Sequence, residues 1–266
     1  SRESAKLLVD RGLVDDAITA HAKAGRHYDA AELLETEGRI DEAIKALEAG
    51  YRTDKGREYW HYTKKSGVLE DAKPKLARRI AKLFLDAGNK AGAAGYYEKA
   101  GELDRAIELF VDAGDARGRA RCLMVGIPPK GKLGPKHLER LREAARALGD
   151  ARDPKAVDLF VRAGEFARAG EIARAARDYP HAAELFARAG RHSDGADCAA
   201  KAGNRQLSAF LLSEGGEFNK AAALYEQLGK LDEAAECAGK TDDAELKARL
   251  FGRVGDLLGQ ARILVT

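Results

Sequence analysis

Glycine returns every thirteen residues along most of this chain, and that interval limits the fold more than any other feature. Gly12, Gly25 and Gly38 make one run, and Gly88, Gly101 and Gly114 a second. Gly164, Gly190, Gly203, Gly216, Gly229 and Gly255 make a third, each spacing being thirteen or a multiple of it. Where the beat skips a glycine, Arg177 and Asp242 hold the position. A glycine inside a helix costs about 1 kcal/mol. A glycine on every thirteenth residue therefore breaks any long helix or coiled coil and marks the ends of short helices instead.

The residues between markers repeat as well. Five places after the marker stand Ala17, Ala30, Ala43, Ala93, Ala106, Ala169, Ala182, Ala221 and Ala234. Eight and nine places after it come larger apolar residues such as Leu33 and Leu34, Tyr96 and Tyr97, Leu109 and Phe110, Leu185 and Phe186, Leu224 and Tyr225. A further Ala often precedes the next marker, as at Ala24, Ala100, Ala113, Ala163, Ala189 and Ala202. Offsets of 5, 8, 9 and 12 follow i, i+3, i+4, i+7 and predict one buried helical face. Three places after the marker, Asp15, Asp41, Asp104, Ser193, Asn219 and Asp232 read as N-caps, and Pro180 suits a first helical turn. The marker glycine itself reads as a left-handed C-cap.

Each unit is thus a helix of about ten residues with a turn of three or four, roughly 15 Å long. A helix that short is unstable alone and must bury its alanine-rich face against neighbours. Apolar residues make up 45% of the chain and Ala and Leu dominate them, which also favours helix over sheet. The expected fold is all-α: an α-solenoid of antiparallel hairpins, each of two units and 26 residues.

The strings AAELFARAGRHSDGADCAAKAG (182–203) and AAALYEQLGKLDEAAECAGK (221–240) resemble tetratricopeptide-like repeats. They are also similar to the A-G-x-x-x-x-A pattern in the solenoid arms of clathrin, coatomer and intraflagellar-transport subunits. The likeness covers about three quarters of the chain. The unit is shorter than the 34-residue tetratricopeptide and lacks its W-x2-L-G-x2-Y signature. What the resemblance implies is protein–protein scaffolding, with no particular assembly named.

The beat stops at 51–87 and 115–150, and each interruption ends in a longer helix opened by Pro-Lys, PKLARRIAKLFLDAG (74–88) and PKHLERLREAARALG (135–149). Both reach Gly fourteen residues after Pro. The chain then divides into N-terminal repeats (1–50), repeats with two longer insertions (51–150) and regular C-terminal repeats (151–266), read as one continuous solenoid. Positive charge gathers in the middle part. Residues 1–50 carry 7 basic and 11 acidic residues, 51–150 carry 22 and 14, and 151–266 carry 17 and 18.

The basic residues cluster at Lys64, Lys65, Lys73, Lys75, Arg78, Arg79 and Lys82, and again at Lys130, Lys132, Lys136, Arg140 and Arg142. Beside the first cluster lies YWHY, with Trp60 and Tyr62. One reading is a solvated cationic face with aromatics covering a break in the stack. The functional reading is a docking surface for an acidic protein partner, anchored on Trp and Arg. Its expected residues are Trp60, Tyr62, Lys64, Lys65, Lys75, Arg78, Arg79, Lys82, Lys132, Lys136, Arg140 and Arg142. A lipid-headgroup surface is a weaker version of it, and a net charge of only +3 argues against nucleic acid.

The catalytic motifs that the sequence approaches are incomplete. GIPPKGKL (126–133) matches G-x-x-x-x-G-K, but Leu133 stands where a phosphate loop needs Ser or Thr, and Pro128 and Pro129 remove two N–H donors. It reads as a connector between helices. GKT (239–241) lacks the first glycine, Ala234 being there. The histidines are scattered, and the acid pairs Asp15–Asp16, Asp232–Glu233 and Asp242–Asp243 fall at helix starts, where the dipole explains them. Cys122, Cys198 and Cys237 form no CxxC pair and read as reduced, buried and cytosolic.

No catalytic residue, metal or cofactor is expected, and no apolar run approaches the length of a membrane span. The expected role is a non-catalytic cytoplasmic scaffold or adaptor. The alternatives are a regulatory or sensor arm of a larger multidomain enzyme, or a coat-like element at a membrane surface. The chain starts inside a repeat and ends on the apolar ARILVT, so a fragment, or self-association through uncapped ends, is also expected.

Overall fold

The computed structural model describes residues 2–53 and 72–255, and all seventeen regular elements among them are α-helices. They fall into two compact units, 1–126 and 127–266. The first holds α1 (Arg2–Asp10), α2 (Val14–Lys23), α3 (His27–Thr36), α4 (Ile40–Thr53), α5 (Ala72–Asp86), α6 (Lys90–Lys99), α7 (Leu103–Asp112) and α8 (Ala116–Met124). The second holds α9 (Pro135–Asp150), α10 (Lys155–Arg162), α11 (Phe166–Ala175), α12 (Tyr179–Arg188), α13 (His192–Lys201), α14 (Arg205–Glu214), α15 (Phe218–Gln227), α16 (Leu231–Gly239) and α17 (Ala244–Val254). Within each unit consecutive helices pack on each other as a series of helical hairpins.

One backbone corner builds both stacks. Gly25 sits at φ +69°, its N–H donates to the Ala22 carbonyl, and the next N–H, that of Arg26, reaches back to His21 at 2.9 Å. This is a Schellman end, with the left-handed residue at the position where glycine carries no Cβ penalty. Arg26 then begins the next helix, accepting from the Ala30 N–H at 3.1 Å. The same reach-back recurs from Arg39 to Leu34, Glu102 to Tyr97, Asp115 to Phe110, Arg191 to Phe186 and Lys230 to Tyr225. The residue that closes one helix therefore caps the following one.

That economy corrects the expected caps. Asp15, Asp41, Asp104, Ser193, Asn219 and Asp232 are second residues of their helices, because each helix starts two residues earlier than the sequence pattern suggested. The N-caps lie one place after the marker. Asn89, Asp115, Asp178, Asn204 and Asp243 cap with their side chains, Asn89 Oδ1 accepting from the Gly92 N–H at 2.8 Å. The acids inside the first turn still suit the helix dipole, and Pro180 stands in the first turn of α12 as expected.

The alanines five places after the marker are all buried, at 0–2% exposure, together with Leu34, Tyr97, Phe110, Phe186 and Tyr225. The alanine before the marker varies: it is the C-cap residue, exposed at Ala24, Ala113 and Ala202, half-buried at Ala100 and Ala189, and buried at Ala163. A second small residue at offset six takes its place in the core, as at Ala31, Ala94, Ala183 and Ala222. Two adjacent alanines let a helix be approached closely from two sides.

Three further expectations are revised. The second interruption is shorter than 115–150, because α8 keeps the thirteen-residue beat and only 125–134 is irregular. That stretch is a connector between helices, pinned where the Arg162 guanidinium donates to the Pro128 carbonyl at 3.1 Å. Gly88 ends its Pro-Lys helix, but Gly149 lies inside α9, and Arg152 at φ +56° makes the left-handed turn. Arg177 does hold the skipped marker in left-handed geometry, at φ +63°. Asp242 does not: a four-residue turn there is fastened by the Thr241 hydroxyl, which donates to the Ala238 carbonyl at 3.1 Å.

Alternate helices lie side by side and are tied by ion pairs. In the first unit Arg39 meets Asp15 of α2, Arg79 of α5 meets Glu35 of α3 at 2.7 Å, and Arg121 of α8 grips Glu98 of α6 with two bonds of 2.6 and 2.7 Å. In the second, Arg174 of α11 meets Asp194 of α13 at 2.9 Å, while Arg249 and Arg253 of α17 share Glu226 of α15. Burial alone would raise the Glu226 carboxyl, but the two guanidiniums hold it below the usual range. Exposed or partly exposed pairs of this kind each add only modestly to stability.

The left-handed corner yields a test with opposite signs. Arg177→Gly removes a Cβ penalty and should stabilise by about 0.5–1 kcal/mol, while Gly203→Ala, at φ +79°, should destabilise by about 1–2 kcal/mol. Chemical denaturation followed by circular dichroism checks both, and two shifts of the same sign would refute the account.

Candidate functional site

The α5 helix buries Leu76, Ala77, Ile80, Ala81 and Leu83, which turns Lys75, Arg78 and Lys82 to solvent and sets Arg79 at the half-buried edge. The arginines are engaged: Arg78 pairs with Glu102 at the start of α7, and Arg79 with Glu35. Lys75 and Lys82 are exposed and form no ion pair among the described residues. In the second unit Arg142 meets Glu165 at 3.0 Å, and Arg140 is half-buried with a partner of its own. Lys132, in the connector, and Lys136, in the first turn of α9, are exposed and likewise unpaired among the described residues. Trp60, Tyr62, Lys64 and Lys65 lie outside the described residues.

The expected basic set thus separates by chemistry. Arginine's planar fork suits fixed pairing with carboxylates, and it joins neighbouring helices here. Lysine, a hydrated point charge on a flexible stem, is left for the solvent. The sequence could not make this division, because each arginine's partner comes from a helix 23, 24 or 44 residues away.

A feature not evident from the sequence stands where α4 and α6 meet α5. Tyr51, Tyr96 and Phe84 form a continuous aromatic group: Tyr51 and Tyr96 edge to face at 5.8 Å, Tyr96 and Phe84 stacked at 5.7 Å. Lys99 lies 3.9 Å from the Tyr96 ring centre and 5.6 Å from that of Tyr51, and Lys73 approaches Tyr51 at 4.8 Å. The Tyr96 hydroxyl donates to Glu48 at 2.9 Å. Burial first, and then the Glu48 carboxylate, push that phenol above its ordinary range. The sequence signal was slight. Tyr51 falls thirteen residues after Gly38, in the marker slot, and without a glycine there α4 runs on to Thr53.

The second unit has a groove of about 680 Å³ between α9, α10 and α11. Phe160, Ile172 and Ala175 line it, beside Arg146, Asp150, Arg168 and Glu171. Gly149 keeps it open, since a Cβ there would come within 3.3 Å of Ile172. The three cysteines are buried and in no disulfide, and burial pushes the Cys122 thiol up to about 11, so it is a poor nucleophile. Among the described residues no group of three or more His, Cys, Asp or Glu is placed to hold a metal ion, and no helix is long and apolar enough to cross a membrane.

No protein-family model matches the chain, and no curated protein does. A solved structure described as a circular tandem repeat protein with novel repeat topology and enhanced subunit contact surfaces is similar at 17% identity, over 99% of this chain and 67% of that one. The TM-score is 0.19, so the fold rests on the helices and corners described above.

The adjacent tyrosines of α6 give a discriminating pair of variants. Tyr97 is fully buried, and its hydroxyl meets no hydrogen-bond partner among the described residues. Tyr97→Phe should therefore be neutral or stabilising by up to about 1 kcal/mol, whereas Tyr96→Phe loses the bond to Glu48 and should cost about 1 kcal/mol. Urea unfolding of the two variants measures the contrast.

Proposed function

We propose that this chain is a non-catalytic binding scaffold that presents its basic middle third to an acidic protein partner. The observation that carries the reading is the division of the cations on the two Pro-Lys helices and the connector before the second. Arg78, Arg79 and Arg142 serve the stack, while Lys75, Lys82, Lys132 and Lys136 have no such duty. Exposed lysines near unpaired charge steer an acidic partner toward the surface and set its salt dependence. The repeat supports the same role. Corner and core positions recur from unit to unit, while the solvent-facing residues differ, so each hairpin offers a different outer surface on a constant frame.

The division also dictates the experiment. Reversing arginines would weaken the stack, so the informative variant is Lys75→Glu, Lys82→Glu, Lys132→Glu and Lys136→Glu together. Proteins co-purifying with the chain from its source should be lost from this variant while its helical spectrum and unfolding midpoint stay unchanged. Retention of the same partners at low salt would refute the basic surface. Arg79→Glu, as the contrasting control, should lower the unfolding midpoint.

A further inference from the structure

We propose that the notch formed by Tyr51, Tyr96, Lys73, Lys99 and Arg52 in the first unit is a docking site for a peptide segment rich in Asp and Glu; this rests on the scaffold reading above and names a place for it. Three cations converge there. Lys99 is the last residue of α6, Arg52 lies in the last turn of α4, and Lys73 is in the first turn of α5. Cations at the C-terminal ends of α4 and α6 complement those helix dipoles, which accounts for Arg52 and Lys99. It does not account for Lys73, which stands at a helix N-terminus, where a positive charge is unfavourable.

Among the described residues the charge in the notch is not balanced from within. Glu48 is the carboxylate in contact with the aromatic group, and it accepts the Tyr96 hydroxyl. Among the described residues Arg52, Lys73 and Lys99 form no ion pair with a carboxylate. The nearby acids are committed elsewhere: Glu98 to Arg121, Glu102 to Arg78. Lys73 and Lys99 rest instead against the Tyr51 ring, at 4.8 and 5.6 Å.

Cation–π contacts at exposed sites are worth about 0.5–1 kcal/mol, less than a charge-assisted hydrogen bond to a carboxylate. Both ammonium groups can therefore turn from the rings to an incoming acid at small cost. Tyr51 is half-buried and then offers its freed face to an apolar or planar side chain of the same segment. Several cations at one end of three helices suit a row of carboxylates, and the aromatic floor adds contact area in the manner of an interface anchor.

The test is fluorescence anisotropy at low salt, using the full chain and a short fluorescein-labelled peptide rich in Glu and Asp. The same peptide with Gln and Asn replacing the acids serves as the reference. The acidic peptide should bind and the neutral one should not, with affinity falling as salt rises. The Lys73→Gln, Lys99→Gln double variant should bind about tenfold more weakly. Lys73→Gln alone, in a first turn where loss of charge does not harm the helix, should weaken binding in the same direction. Lys155→Gln, Lys201→Gln, exposed in the second unit and outside both the notch and the basic middle third, should leave it unchanged. Full affinity in the double variant with an intact helical spectrum overturns the notch. If affinity is lost instead on changing Lys75 and Lys82, or Lys132 and Lys136, the notch falls but the scaffold reading stands. No binding of the acidic peptide to the wild-type chain overturns the notch, and the co-purification result then decides the broader reading alone. Displacement of the peptide by inorganic phosphate at concentrations too low to act through ionic strength would assign the notch to phosphate chemistry and overturn the proposal.

Discussion

Most corners of both units hang from one backbone hydrogen bond, the reach of an amide past a left-handed residue to the carbonyl five positions back. It ends a helix, and the residue that makes it begins the next. With three residues in the link there is almost no freedom in the exit direction, so successive helices must fold back as hairpins. The thirteen-residue interval is the sum of this corner and a ten-residue helix, and it holds only while both parts stay the same length. Where the corner residue is lost, as at Tyr51, the helix runs on to Thr53.

The side chains then follow from geometry. A ten-residue helix has little stability of its own, so burial on two sides supplies it, and paired alanines such as Ala93 and Ala94 or Ala221 and Ala222 permit close approach on both. Between alternate helices the spacing suits a long side chain reaching across, and arginine with glutamate or aspartate fills it repeatedly. This structural use of charge is why the basic middle third cannot be read as a uniform patch. Part of it is internal bracing, and the remainder is the exposed lysines and the aromatic notch.

Much of the fold was legible in the sequence because a left-handed position has a strong chemical preference. Gly12 through Gly255 announced the corners, and the alanines at offset five announced the face. The errors have equally local causes. Asp15 and Ser193 read as caps because acids and serine favour first turns as well as caps, and nothing in the residue types separates the two positions. Gly149 imitated a helix end but serves helix packing, and the left-handed turn fell to Arg152, a residue that tolerates that geometry poorly. Of the site, the positive charge was readable from composition. The separate duties of Arg79 and Lys75 were not, since they depend on Glu35 lying opposite one and water opposite the other.

The hairpin order has a consequence for how each unit assembles. Packing is between helices that are neighbours in the chain, so ordering one hairpin closes only a short loop, and the entropy lost at each step is small. Such low contact order favours fast folding that begins at any hairpin and spreads outward. Amide protons should then exchange most slowly in helices packed on both sides by their chain neighbours, such as α6 and α12. The bridges between alternate helices oppose this difference, since opening one hairpin must also break ties to the next.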